Sequence, residues 1–191
     1  MAHESTASVI LHVDVAPPGA SLRIRFHVTN DQSSPVYLFN VLWEHAGKGT
    51  YIEARMPVYA SLRSPGVLCL LKGLAPLPKA REVEVRNVPF ATRVDPGQVF
   101  AEEIDMRLPI DEYSPYFSPP SGGTVRTVQA REIVFALDFI RAHGDETVRK
   151  APLDQAVWIH HPRLLERIQR IERVIASLPI DVNKSDEFEA F

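Results

Sequence analysis

The sequence predicts a mostly β fold: an immunoglobulin-like antiparallel β-sandwich of about seven to nine strands with a short C-terminal α-helix. Three observations lead there. Apolar and polar residues alternate at period two from about residue 9 to about residue 140. Clusters of Pro, Gly, Asn, Asp and Ser break that alternation at roughly ten-residue intervals. Only one segment, near the C-terminus, repeats its apolar residues at helical spacing.

The first hairpin is the clearest element. Val9, Leu11, Val13 and Val15 alternate with Ile10, His12 and Asp14, and Leu22, Ile24, Phe26 and Val28 alternate with Arg23, Arg25 and His27. With Val15 opposite Leu22, Val13 meets Ile24 and Leu11 meets Phe26, while Asp14 faces Arg23 and His12 faces Arg25 on the wet side. The turn cluster Asn30 to Pro35 releases into Val36 to Trp43, apolar on both faces and so a central strand. Glu44 to Thr50 reads as a loop. Val58 to Arg63, the turn Ser64-Pro65-Gly66 and the apolar run to Leu71 read as a second hairpin. Pro76 and Pro78 lack ladder donors, so Ala75 to Pro78 is a crossing.

Glu82 to Asn87 and Val99 to Leu108 read as strands on either side of the turn Val94-Asp95-Pro96-Gly97-Gln98. Pro109 to Gly123 reads as a long loop, and Thr127 to Phe139 as the last strand of the sandwich. From Leu164 through Leu165, Ile168, Ile171, Val174 and Ile175 to Leu178 the apolar spacing becomes three and four. This predicts an amphipathic helix at about 162–177, opened by Pro162, ended by Pro179 and supported by a Glu166–Arg170 pair. A pair of short strands ending at Ile180 to Asn183 is the alternative. The chain thus divides into a sandwich over 1–145, a C-terminal extension over 146–182 and a frayed tail over 183–191. The helix packs on the sandwich or on a partner, and a homodimer would run through Ile168, Ile171 and Ile175.

Leu22 to Asn30, the Ser/Pro turn into an aromatic strand, and Val94 to Gln98 ahead of a strand ending in Leu108 resemble the intracellular proteinase inhibitors of the BsuPI type. Those are immunoglobulin-like bacterial domains, and the similar segments cover about half of the chain. The resemblance implies the fold. No inhibitory loop matches residue by residue, and no functional residue is carried over.

Composition excludes several classes. A net charge of -3 with scattered arginines gives no basic stripe for nucleic acid. The apolar run Gly66 to Leu71 is far short of the ~20 residues that span a membrane. One cysteine, Cys69, allows no internal disulfide; with an N-terminus free of a secretory pattern it predicts a cytoplasmic protein. Cys69 itself is expected to be buried in a strand and inert. His160 and His161, with Asp154, His143 and Asp145 nearby, lack metal-site spacing, and Glu102 and Glu103 alternate onto opposite faces. No nucleophile elbow or phosphate loop is present, so no catalytic residue, metal or cofactor is expected.

What remains is the loop around Tyr113, Tyr116 and Phe117. Aromatics on a proline-stiffened loop are candidate binding residues, or else they fold back and plug one end of the sandwich. The function expected is a non-enzymatic binding or protein-interaction module. The alternatives are an accessory or structural subunit of a larger assembly, or a hydrolase without a recognisable motif.

Overall fold

A computed structural model describes residues 8–64, 66–79, 82–117, 125–153 and 155–185. In chain order the first strands are β1 (Val9–Val15), β2 (Ser21–Asn30), β3 (Val36–Val41), β4 (Trp43–His45), β5 (Tyr51–Glu53), β6 (Tyr59–Ser64), β7 (Val67–Lys72) and β8 (Phe90–Val94). There follow β9 (Val99–Arg107), β10 (Ile110–Asp111), β11 (Val125–Ala130), β12 (Glu132–Arg141), β13 (Thr147–Lys150) and β14 (Val157–His160). One helical turn, α1 (Leu164–Arg167), precedes β15 (Gln169–Ala176) and β16 (Ile180–Ser185).

The mostly β class is as the alternation predicts. β1, β2 and β9 form one antiparallel sheet. Their inner residues Leu22, Ile24, Phe26, Ile104 and Met106 pack on Leu38, Leu68, Leu70, Ile133, Phe135 and Leu137 of a larger sheet. Phe26 and Phe135 meet across the layers at 4.9 Å between ring centres. Burying each such side chain is worth about 1.5–3 kcal/mol, and this layer contact is the main core.

β12 organises the larger sheet. One edge carries β15 along its length, antiparallel. The other edge is shared: Glu132 to Leu137 pair in parallel with β7, and Phe139 to Arg141 pair antiparallel with β3. Beyond β7 lies β6, and beyond β3 come β8, β14 and β13 in turn. A small sheet of β10, β16 and β11 contributes Ile110, Ala130, Ile180 and Val182 to the same core.

Several expectations are corrected. The first hairpin pairs in a different register, with Val15 on Ile24, Asp14 on Arg25 and His12 on His27. The hairpin closes at Ala16, whose N–H bonds Arg23 O, while Ser21 and Leu22 run on to pair with β9 on the other edge of β2. The slide is even, and every side chain keeps its expected face. Glu82 to Asn87 forms no strand, and Val85 there is exposed. Thr127 to Phe139 is two strands of different sheets, broken at Arg131, whose N–H bonds Gly66 O.

The predicted helix at 162–177 shrinks to the four residues of α1, and the rest is β15. Ile168, Ile171, Val174 and Ile175 are β-branched, and β12 offers a full edge to pair with, so pairing overrides helical spacing. Arg170 accordingly faces Asp138 instead of Glu166. The isoleucine stripe read as a dimer seam is divided within the chain: Ile171 and Ile175 pack on the main core, and Ile168 on a second cluster. Residues 146–182 are therefore woven into the sheets through β13 to β16. Of the tail 183–191, Asn183 to Ser185 belong to β16 and the remainder lies outside the described residues. No helix among the described residues is long and apolar enough to cross a membrane.

Candidate functional site

The aromatic loop turns inward. Tyr113 exchanges backbone hydrogen bonds with Ala60 at 2.8 and 3.0 Å, which adds a rung beside β6. Its ring is buried against Tyr59, and its hydroxyl donates to Glu44. Phe117 is buried, and half-buried Tyr116 accepts a hydrogen bond from Asn87 N at 3.2 Å. Burial, with Glu44 as acceptor, pushes the Tyr113 hydroxyl far above its ordinary range. Tyr113 and Tyr116 thus fold back onto the cluster that holds Tyr59 of β6, and Phe117 beside them is buried. Tyr113 still forms part of the wall of two clefts.

One of these clefts, about 260 Å³, has Cys69 in its floor and Arg63 and Arg170 beside it. Cys69 lies in β7 and is buried, as expected of it. Burial raises its thiol pKa, against the pull of Arg63, so the protonated form predominates. Both guanidiniums are already held, Arg63 by Glu172 at 2.7 Å and Arg170 by Asp138 at 2.7 Å.

A second cleft, about 560 Å³, opens between β3, the segment after β5, and the start of β9. Lys72 forms part of its wall, with only 5% of its side chain exposed. Its Nζ donates to Asn40 O at 3.0 Å and to the Glu102 carboxylate, which also accepts from Asn40 Nδ2 at 3.2 Å. Burial brings the lysine below its ordinary value of 10.5, with Glu102 opposing. Glu103, one residue on, faces solvent with Arg25, so period two separates the two glutamates as predicted. Lys72 itself escaped the sequence reading, although its strand position signals it: Leu68, Leu70 and Lys72 share the inward face of β7.

The third region is an aromatic stack that runs outward from the larger sheet. Trp43 lies over Phe90 at 5.7 Å, Phe90 meets Trp158 at 5.0 Å, and Tyr51 sets its edge on Trp158 at 5.5 Å. Trp43 is fixed from behind, its Nε1 donating to Val88 O at 2.9 Å. Trp158 ends the stack and is 40% exposed. Beside it a cleft of about 470 Å³ is lined by Thr147, Arg149, Lys150, Trp158 and His160. Arg149 stands directly across from Trp158, and Thr147 from His160. All three ionisable residues of that lining are basic types, and neither the Arg149 nor the Lys150 side chain has a hydrogen-bond or ion-pair partner among the described residues.

The histidine pair is split by this arrangement. His160 joins the Trp158 surface, while His161 Nε2 lies 3.2 Å from Asp145, which also holds Arg167. Asp154 lies outside the described residues. No group of metal ligands forms among the described residues. Comparison with protein-family models, curated proteins and solved structures finds no match, so fold and site rest on the geometry of the chain itself.

Proposed function

We propose that the chain is a non-enzymatic binding module that takes an extended, acidic segment of a partner protein along β13. The observation that carries this reading is Trp158, held half-bare on a fixed aromatic stack beside the unpaired cations Arg149 and Lys150. A rigid aromatic ring offers contact area at little entropic cost, and unpaired basic side chains favour an anionic partner. β13 is also the last strand of its sheet. Ala151 N donates to Ala156 O at 2.9 Å, which continues the ladder with β14. By the alternation of an antiparallel ladder, Thr147 and Arg149 turn their backbone to β14, while Val148 and Lys150 turn theirs to the open edge. An added strand finds donors and acceptors there.

The reading includes an immunoglobulin-like domain in a reducing compartment, supported by the packed, mainly antiparallel layers and the single buried cysteine. The same edge would serve an accessory subunit of a larger assembly. A blocked hexapeptide alternating Glu and Val, titrated calorimetrically, tests the proposal. Binding should be lost in the Arg149→Glu/Lys150→Glu variant, with its melting temperature little changed, and weakened about tenfold in Trp158→Ala, a loss of about 1.4 kcal/mol. Equal binding by the charge-reversed variant, or by a peptide N-methylated at alternate amides, would overturn it.

A further inference from the structure

Lys72 raises a question that partner binding does not answer: why a lysine is buried at the wall of a 560 Å³ cleft with so few acceptors. Its nitrogen meets two, Asn40 O and Glu102 Oε1. An ammonium carries three N–H donors and would leave one without an acceptor among the described residues, whereas a neutral amine carries two and both are met. The neutral form also keeps a lone pair. Beside it, Glu102 touches both the amine and the cleft, and its side chain is 26% exposed, so protons can pass through it. The remaining walls mix apolar side chains, from Val41, Leu42, Met56 and Phe100, with the polar groups of Glu53, Arg55 and Thr92, and Glu53 like Glu102 opposes the effect of burial on the amine.

We propose that Lys72 is a covalent capture site for small carbonyl compounds with an apolar body, which it binds as an imine. The amine lone pair attacks the carbonyl carbon, and the C–N bond forms as the C=O π pair moves onto oxygen. One N–H proton crosses through the Glu102 carboxylate to that oxygen, which gives a carbinolamine. The second N–H proton follows the same route to the hydroxyl group, which leaves as water while the C–O bond breaks and the C=N bond forms. Nothing is oxidised or reduced. A desolvated lysine is the usual nucleophile for this condensation.

Butanal with cyanoborohydride at neutral pH, followed by peptide mapping of the full chain, tests the site. The exposed lysines Lys48, Lys79 and Lys150 serve as internal controls. Lowering an amine's pKa frees more of it near neutrality, so Lys72 should be alkylated faster than each of the three controls. Urea should abolish that preference. Glu102→Gln should slow labelling of Lys72 alone, with the fold and the control lysines unchanged. Labelling of the three exposed lysines with Lys72 left intact in the native protein would overturn the proposal. So would a Glu102→Gln variant that labels at the parent's rate. Neither result bears on β13.

Discussion

Two buried ion pairs begin at adjacent rungs of the larger sheet and end differently. Lys72 pairs in register with Leu137, and Asp138 is the next residue of β12. Lys72 faces the inner layer and finds Glu102; Asp138 faces the other side and finds Arg170. The second pair is complete. Arg170 Nε and Nη2 bond the carboxylate at 2.7 and 2.9 Å, Nη2 also bonds Leu74 O at 3.1 Å, and Leu74 N donates to Asp138 at 2.8 Å. Gly73 lets the chain pass this carboxylate: at φ +153° a Cβ would overlap the Asp138 side chain. The first pair is incomplete, since a lysine is a point charge without a fork and Asn40 Oδ1 is left with no partner. A planar, saturated pair locks three segments together. An unsaturated one leaves a reactive group.

The sharpest way to break the comparison is Arg170→Ala. It strands a carboxylate whose side chain is 1% exposed, and should cost about 3 kcal/mol or more in urea unfolding. The double variant Asp138→Leu/Arg170→Met should recover most of that loss; a loss as large as the single variant's would show that the pair is not the cause. Lys72→Met should be milder, within about 1 kcal/mol of the parent at neutral pH, because burial already disfavours the charged form of the lysine. Its signature is the pH dependence. The folded lysine titrates below 10.5 and the unfolded one near it, so the unfolded chain binds more protons in that window. Parent stability should therefore rise with pH up to 10.5, and Lys72→Met should lack that rise. A slope common to both would remove the assignment. The smallest effect belongs to Arg63→Ala, which breaks a pair with Glu172 that is 37% and 40% exposed, and should cost no more than about 1 kcal/mol. A larger loss in the same urea titration would give that surface pair a weight its exposure does not explain.

Much of the layered β fold was legible because strands such as β2 and β9 bury one face and expose the other. The even register slide between β1 and β2 shows how the pattern sets faces without setting partners: alternation is blind to a shift that keeps parity. β15 was misread for a related reason. Its apolar residues fit two periods, and the evidence that decides between them lies far away in sequence, in the lone acid Asp138 inside the apolar strand Ile133 to Ile140. A buried carboxylate demands a cation, and the arginine-rich segment at 163–173 was the place to look for it. The site was less legible still. Tyr113, Tyr116 and Phe117 were found by composition, but their exposure depends on whether β6 accepts another rung. Trp158, Arg149 and Lys150 form a surface only because β13 and β14 pair, and those strands are too short to announce themselves.

The sharing of β12 among β3, β7 and β15 also bears on how the chain is made. β3 and β7 leave the ribosome long before their common neighbour, and β12 in turn acquires its other edge only when β15 arrives. Such distant pairings are slow to form, and strand edges waiting for them are open to other chains. The lateness of β15 makes the last fifth of the sequence the step on which the central sheet closes. A nascent chain stalled before Arg170 would hold Asp138 with no cation to meet it, a half-built sheet with every reason to recruit a chaperone.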